Sequence, residues 1–293
     1  MSFPVGEVAS VGAAVCWAIG LTLFRTDVRE VGARHVNLFK GLLGTLIFLG
    51  IVLVRGVPAV AVEPALYLAA SGVVGLAIGD TFLFGALGVL GAHKTALFGS
   101  LGPILTALGG WIFLQEALSA TQIAGILMAA WGVALVVYYR DASRDPSPTS
   151  RGVLYGLVAA TCQAAGTLLA RVGLKETDAL WGTTLRLGAA TAALLLWAVM
   201  RRDLAPALRI LLEPARLRRL VPAVLVATLC GLWLMQVGIK HAPAAVASAL
   251  HSTTPLFTLP IALFWLREHL GRLGILGSFV AVGGVVVLIL AGA

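Results

Sequence analysis

Charged residues are scarce in this chain, and acidic ones are the scarcest. Only 12% of the 293 residues are Asp, Glu, Lys or Arg, and 13 of them are acidic, whereas soluble domains carry about 25% charged residues. A soluble fold would need a charged surface that this composition cannot supply. The hydrophobic content of 59% and the mean hydropathy of +0.98 are typical of membrane proteins.

Cysteine is equally rare, and its positions argue against metal and disulfide chemistry. Cys16, Cys162 and Cys230 lie inside apolar runs, without CxxC spacing and without an adjacent histidine, so packing is their expected role. The chain also lacks P-loop, HExxH, GxSxG and GxGD motifs. We therefore expect no metal, no cofactor, no direct use of ATP and no enzymatic activity.

Long apolar runs are abundant. A membrane helix needs about 20 apolar residues to cross roughly 30 Å of hydrocarbon, whereas barrel strands have about 10 residues with alternating polarity. Ten runs meet the helix criterion, at 5–24, 34–54, 65–87, 92–114, 121–139, 152–171, 180–200, 220–240, 243–266 and 272–291. The lipid bilayer is the expected environment. The net charge of +8 is attributed to loop arginines rather than to a nucleic-acid partner.

The two halves of the sequence repeat each other. A shift of 146 residues aligns Lys40 with Arg186 and brings identical residues together, and a shift of 152 residues does so later in each half. The identical pairs include Gly6/Gly152, Cys16/Cys162, Arg25/Arg171, Thr45/Thr191, Pro103/Pro255, Thr106/Thr258, Glu116/Glu268 and Gly132/Gly284. Residues 1–140 and 151–293 are therefore predicted to be two five-helix units, with a linker at about 141–150.

The odd number of helices in each unit determines how the units are related. After five helices the chain is on the other side of the membrane, so the second unit enters from the opposite face. Such inverted repeats are common in secondary transporters, where the substrate site lies between the repeats near mid-membrane. The predicted fold class is an all-α polytopic membrane protein with ten transmembrane helices in two inverted five-helix repeats.

Two stretches of the chain carry a family resemblance. They are LGAHKTALFGSLGPILTALGGWIFLQEALSATQIAGILMAAWGVALVV and HAPAAVASALHSTTPLFTLPIALFWLREHLGRLGILGSFVAVGGVVVL. Their helix proline, closing glutamate and following Gly-rich helix resemble the EamA-like family of the drug/metabolite transporter superfamily. The resemblance implies the ten-helix fold, export of small metabolites such as amino acids, and a bacterial inner membrane. It leaves the substrate and the oligomeric state open, and a monomer is compatible with it.

The membrane orientation has two conflicting predictions. The connections after the odd-numbered helices hold 15 Lys and Arg, and those after the even-numbered helices hold 4. The positive-inside rule then places both termini outside the cytoplasm, whereas the family resemblance places both inside. Much of the excess comes from the arginines between residues 201 and 219, a stretch that can form a surface helix with its arginines on lipid phosphates.

Ionisable side chains inside membrane helices are costly and are functional candidates by default. Asp80 is the only carboxylate deep inside a predicted helix. It either binds a substrate ammonium or carries a coupling proton, or it pairs with Lys94 as a structural pair or gate. Lys40 and Arg186 either snorkel to the membrane surface or hold a substrate carboxylate or a gating partner.

Polar and aromatic side chains form a second set of candidates, which we expect to line a central cavity. By the repeat, Trp17 is equivalent to Gln163 and Phe84 to Gln236, and His251 lies in a polar group before Pro255. Core or lipid packing is the alternative role of the histidine and the tryptophans. The predicted substrate-binding residues are Trp17, Asp80, Phe84, Ser100, Gln163, Trp233, Gln236 and His251.

Two prolines mark helices that are expected to bend. Pro103 and Pro255 remove a backbone hydrogen bond within the fourth and ninth predicted helices, so we expect a kink at each. Glu116 closes the fourth helix, and Ser119 with Gln122 has the spacing of a capping box that starts the fifth.

These features favour a secondary transporter that exports or exchanges a small-molecule substrate by alternating access. Apolar or aromatic amino acids fit the aromatic and amide positions. Protons are coupled through Asp80 in one hypothesis, and facilitated exchange operates in the other. The alternative functions are a non-transporting receptor or scaffold and a membrane enzyme.

Overall fold

The chain folds into helices throughout the part that the structure describes. The computed structural model describes residues 4–56, 60–99, 101–138, 149–254, 256–257 and 272–292. The first half comprises α1 (Val5–Val31), α2 (Ala33–Arg55), α3 (Val62–Ser71), the π-helical segment π1 (Gly72–Gly79), α4 (Asp80–Gly99), α5 (Leu101–Leu114) and α6 (Ala120–Tyr138). The second comprises α7 (Ser150–Gly173), α8 (Ala179–Met200), α9 (Ala205–Arg209), a 3₁₀ turn (Ile210–Leu212), α10 (Pro214–Ala223), the π-helical segment π2 (Val224–Leu232), α11 (Trp233–His241), α12 (Ala244–His251) and α13 (Arg272–Gly292).

Several of these helices can cross a membrane. Within the described ranges six segments are long and apolar enough, namely Val5–Val31, Ala33–Arg55, Val62–Leu90, Ser150–Gly173, Ala179–Met200 and Pro214–His241. Shorter apolar helices accompany them at Leu101–Leu114, Ala120–Leu135 and Leu276–Ala291. The predicted ninth span, 243–266, falls partly outside the described residues, so the total of ten spans stays a prediction.

One helix boundary differs from the sequence prediction. The third and fourth spans were predicted to separate between residues 87 and 92, whereas α4 runs without a break from Asp80 to Gly99. The stretch contains no proline, the residue that would break a helix, before Pro103. Pro103 is the third residue of α5, and residue 100 lies outside the described ranges, so the kink at this proline stays a prediction.

The start of α6 confirms a local signal. Ser119 and Gln122 exchange hydrogen bonds, with Ser119 N donating to Gln122 Oε1 at 3.0 Å and Gln122 N donating to Ser119 Oγ at 3.2 Å. This is the predicted capping box. The preceding helix ends at Leu114, followed by Gln115 in the left-handed region with φ 55°, a common way to stop a helix.

The arginine-rich stretch after α8 forms short helices. Two of its arginines bind a carboxylate of α1. Arg216 and Arg219 of α10 both donate to the buried carboxylate of Asp27 in α1, the latter at 3.1 Å through Nη2. Arg216 also pairs with Glu30 and Glu213. These two arginines, expected to meet lipid phosphates, therefore attach α10 to α1.

Positions related by the repeat contact each other. Thr45 in α2 and Thr191 in α8, which are 146 residues apart, share a hydrogen bond of 3.0 Å between their hydroxyls. Helices α6 and α13 pack closely, with Gly132 against Ala281 and Gly284 against Ala129. The 152-residue shift relates Gly132 to Gly284 and Ala129 to Ala281, so the two contacts are equivalent under the sequence repeat. Reciprocal contacts of this kind occur across a twofold axis.

Candidate functional site

A buried ion pair lies in the first half of the chain. Lys40 in α2 donates from Nζ to Asp80 Oδ2, and the two side chains are only 2% and 0% exposed. Asp80 begins α4 directly after π1. Its other oxygen, Oδ1, accepts a hydrogen bond of 2.6 Å from Nε2 of Gln163 in α7. The carboxylate is therefore held by one residue from each half, and Lys40 does not reach the surface.

The π-helical segment before Asp80 presents backbone oxygens to this site. Gly75 O accepts from Gln163 Nε2 at 3.3 Å, and Leu76 O accepts from Asn37 Nδ2 at 2.9 Å. Asn37 also donates to Thr81 Oγ1 at 3.1 Å. Segment π1 supplies the two backbone acceptors and also positions Asp80, which directly follows it. This agrees with the frequent occurrence of short π-helical inserts at functional sites.

Aromatic rings surround the lysine. Lys40 Nζ lies 5.5 Å from the ring centroid of Trp17 and 5.4 Å from that of Phe84, within cation–π distance. Trp17 makes an edge-to-face contact with the imidazole of His251, at 6.0 Å between centroids and 88° between planes. Trp17 and His251 come from different halves, so the cluster spans the boundary between them.

Arg186, the repeat equivalent of Lys40, is fully buried in the second half. Its Nη1 donates to Gln236 Oε1 at 2.6 Å. Within the described residues its Nε and Nη2 have no hydrogen-bond partner, and neither does Gln236 Nε2. Asp80 lies close enough to interact electrostatically with both Arg186 and His251. The ion pair, the aromatic rings and Arg186 thus form one site, which we call the central cluster.

The repeat is visible inside the central cluster. Segments π1 and π2 coincide under the 152-residue shift, since residues 72–79 map onto 224–231. Gly231 of π2 packs against Cys16 and Trp17, and Gly79 of π1 packs against Cys162 and Gln163. Trp17 and Gln163 therefore each lie against the glycine that the sequence repeat pairs with them.

Other predicted site residues lie elsewhere or outside the described part. Trp233 is 41% exposed and makes none of the contacts described for the cluster, although Gln236, three residues later, is fully buried. Ser100, Pro255 and the side chain of Lys94 lie outside the described residues. Asp80 pairs with Lys40, and the predicted pairing with Lys94 stays a prediction because the Lys94 side chain lies outside the described residues.

Two contributors were not predicted from the sequence. Asn37 lies one helical turn before Lys40, and Thr81 directly follows Asp80. A polar residue three positions before a buried lysine shares its helix face, so the spacing of Asn37 was an available signal. No comparable sequence signal identifies Thr81. A threonine hydroxyl in a helix commonly bonds the carbonyl four residues earlier, as Thr81 does with Ala77 O, so its polarity alone does not predict a contact with another helix.

Among the described residues, a cavity lies at one end of the helices. This cavity of about 480 Å³ lies where α1 ends, α2 and α7 begin and α8 ends. Its lining includes Arg34, His35, Arg151, Tyr155 and Trp197, and also Phe84. Phe84 lines this cavity and also lies against Lys40, so the cavity is next to the central cluster.

The opposite end is held by a polar network, which we call the latch. Glu116 after α5 accepts from Arg171 Nε at 2.7 Å through Oε1, and from the Ala244 amide of α12 at 3.0 Å through Oε2. Arg171 Nη1 donates to the carbonyls of Ile239 and Lys240, each at 2.7 Å. The latch ties the ends of α5, α7 and α11 to the start of α12.

The chain is similar to known transporter sequences and to a solved fold. The model of the EamA-like transporter family matches residues 4–138 and 150–290. "Uncharacterized inner membrane transporter YhbE" of Escherichia coli strain K12 is 28% identical over 96% of this chain and 89% of its own length. An "Uncharacterized transporter" of Archaeoglobus fulgidus is 29% identical over 54% of this chain and 56% of its own length. One crystal structure matches with a TM-score of 0.73 at 17% identity, covering 98% of this chain and 96% of that one, which shows a shared fold.

Proposed function

The chain belongs to the EamA-like transporter family, and from this premise we propose that it exports or exchanges small metabolites, such as amino acids, by alternating access. The central cluster is the proposed substrate site. The observation that carries the proposal is this cluster itself, in which buried charged groups from both halves meet without a complete set of partners.

Membership of the family makes the chain a membrane transporter rather than an enzyme. A bacterial inner membrane is its location, in agreement with the apolar spans and with the Escherichia coli relative named an inner membrane transporter. Its setting is the lipid bilayer, and its partner is a small-molecule substrate.

The contacts between repeat-equivalent residues support an inverted pair of units, residues 1–140 and 151–293. The Thr45–Thr191 bond and the reciprocal packing of α6 and α13 are what a twofold axis between the units would produce. Inverted repeats permit alternating access, because each repeat can adopt the conformation of the other and so open the site to the opposite side of the membrane. The latch and the open cavity are then the two ends of a single access state.

The ionisable groups suit a gating role within this mechanism. Asp80 contacts Lys40 and Gln163 directly, and Arg186 and His251 lie nearby. Uptake of a proton at Asp80 would break its pair with Lys40, and release of that proton would restore the pair, which is our proposed route for proton coupling. Exchange without protons is the competing mode, and it leaves the pair intact throughout the cycle.

Counterflow in proteoliposomes tests the proposed function. Vesicles loaded with one unlabelled amino acid or other metabolite receive a trace of the same labelled compound, and a transporter accumulates the label. We expect at least one compound to accumulate in vesicles containing the protein and not in protein-free vesicles. A broad panel that shows no counterflow, and no uptake under an imposed pH gradient, would contradict the proposal.

A further inference from the structure

Resting on the proposed function, we propose that the central cluster recognises a carboxylate through the free edge of Arg186, and that the amino group of a substrate is dispensable. The chemical class is thus organic carboxylates, of which amino acids are only one kind.

Several buried hydrogen-bond donors in the central cluster lack partners among the described residues. Nε and Nη2 of Arg186, Nε2 of Gln236 and Nε1 of Trp17 are buried and lack hydrogen-bond partners among the described residues. Every one of these atoms carries an N–H, and none can accept in the forms that an arginine, an amide and an indole take. Buried polar groups are normally bonded, so a ligand that offers several acceptors fits this set of donors.

The shape of the Arg186 edge narrows the class. Nη1 is occupied by Gln236, while Nε–H and one N–H of Nη2 lie side by side on the opposite edge of the planar guanidinium. Two parallel donors match the two oxygens of a carboxylate. Gly75 faces this edge, and a Cβ there would come within 2.9 Å of Nη2, so a larger residue would cover part of it.

The charges of the central cluster give an independent argument. Lys40 and Arg186 bring two positive charges, and Asp80 brings one negative charge. The other buried acids in the described residues, Glu7 and Asp27, lie near the two ends of α1. Because an arginine stays protonated in proteins and buried charges require partners, one negative charge is missing, and a carboxylate ligand supplies it.

The amino group of a ligand finds no free carboxylate in the described part of the cluster. Nδ1 of His251 also lacks a partner among the described residues, but it accepts a hydrogen bond in only one tautomer of the ring. The two oxygens of Asp80 are taken by Lys40 and Gln163, and the described part of the cluster contains no second acid. An ammonium would also meet the positive charges of Lys40 and Arg186. Recognition therefore depends on the carboxylate, and removing the amino group costs little.

A matched set of ligands tests this selectivity on the purified protein. Binding of phenylalanine, 3-phenylpropanoate, 3-phenylpropanamide and 2-phenylethylamine is compared by ligand-dependent thermal unfolding and calorimetry, together with aliphatic, hydroxy- and dicarboxylates. We expect carboxylates to bind about tenfold to a hundredfold more tightly than their amides or amines, the range given by a charged hydrogen-bond pair. Loss of the amino group should change affinity by less than about threefold, below one such bond.

Variants locate the selectivity at Arg186. Arg186→Gln should remove the preference for carboxylate over amide, and Arg186→Lys should weaken it, because lysine keeps the charge but loses the fork. Gln236→Leu removes the group that positions Arg186 and should reduce the same ratio. The exposed Arg201 provides the control Arg201→Gln, which should leave it unchanged.

The outcomes separate this inference from the proposed function. Amides or amines that bind as tightly as carboxylates, or a complete lack of carboxylate binding across the panel, would overturn the carboxylate site. Carboxylate binding without counterflow would contradict transport while supporting the site. If Arg186→Gln does not fold, the ligand series on the unaltered protein and on Gln236→Leu still decides the question.

Discussion

The two halves of the molecule place a buried cation at the same repeat position and treat it differently. Lys40 in the first half has a carboxylate, Asp80, as its partner, whereas Arg186 in the second half has only the amide of Gln236. The 152-residue shift maps Asp80 onto Leu232, so the acid has no counterpart. The equivalent positions of the sequence repeat thus differ in charge: Lys40 is neutralised by Asp80, and Arg186 is the cation that we propose binds a ligand.

Removing the acid should have the largest effect on this comparison. Asp80→Asn leaves Lys40 buried without a counter-charge, which costs about 3–5 kcal/mol for a broken buried pair. We expect the thermal unfolding temperature in detergent to fall sharply. The double variant Lys40→Gln/Asp80→Asn removes both charges and should recover most of the stability. If the single variant is as stable as the unaltered protein, the pair is not a structural element of the first half.

Breaking the link between the halves should have a smaller effect. Gln163→Leu removes the hydrogen bonds to Asp80 Oδ1 and to Gly75 O, leaving a charged acceptor with one partner fewer. We expect a loss of about 1–3 kcal/mol, the penalty for an unsatisfied buried group. The loss is measured by thermal unfolding. Gln122→Leu is the control, because the same substitution at the exposed start of α6 removes only the local capping bonds with Ser119. No change in Gln163→Leu would contradict the described contact.

The latch is expected to contribute to which end is open. Glu116→Gln weakens the bonds to Arg171 and Ala244, at a cost of about 1–2 kcal/mol for a half-buried charged pair. A cysteine placed at the buried Thr177, in a background without the three native cysteines, should then react faster with a membrane-impermeant maleimide. Glu176→Gln, on an exposed neighbour, should not accelerate labelling. Equal rates in both variants would argue against a latch.

The contact across the proposed axis should give the smallest effect. Thr45→Val or Thr191→Val removes one hydroxyl from the bond between the two equivalents, which is worth about 0.5–1.5 kcal/mol. Thr191 Oγ1 also donates to Leu187 O at 2.8 Å, so Thr191→Val should cost somewhat more than Thr45→Val, and the double variant should cost little more than Thr191→Val alone. Strictly additive losses would indicate that the two threonines do not interact.

Local and repeated features were the most predictable from the sequence. The capping box at Ser119 and Gln122 was correct because its partners are three residues apart and need no tertiary structure. The equivalence of Trp17 and Gln163 stays a prediction, and it agrees with the contacts that Gly231 and Gly79 make with these two residues. The family could be recognised from the two quoted stretches, and the comparison with the family model confirmed it.

Long-range pairs were harder to predict. The partner of Asp80 in the described residues is Lys40, 40 residues earlier, whereas the sequence suggested only Lys94, which is close in sequence and whose side chain lies outside the described residues. The latch joins Glu116 to Arg171 over 55 residues, and neither residue was predicted to contact the other. Helix periodicity identifies which residues share a face, but not which helix packs against that face.

The most direct test of the account is counterflow of a labelled carboxylate that binds the purified protein. Vesicles containing equal amounts of the unaltered protein, Arg186→Gln or Arg201→Gln are compared at one substrate concentration below saturation. We expect Arg186→Gln to exchange at least about tenfold more slowly, the loss of one charged hydrogen-bond pair, and Arg201→Gln to exchange at the unaltered rate. Exchange by Arg186→Gln at the unaltered rate would contradict a substrate site in the central cluster.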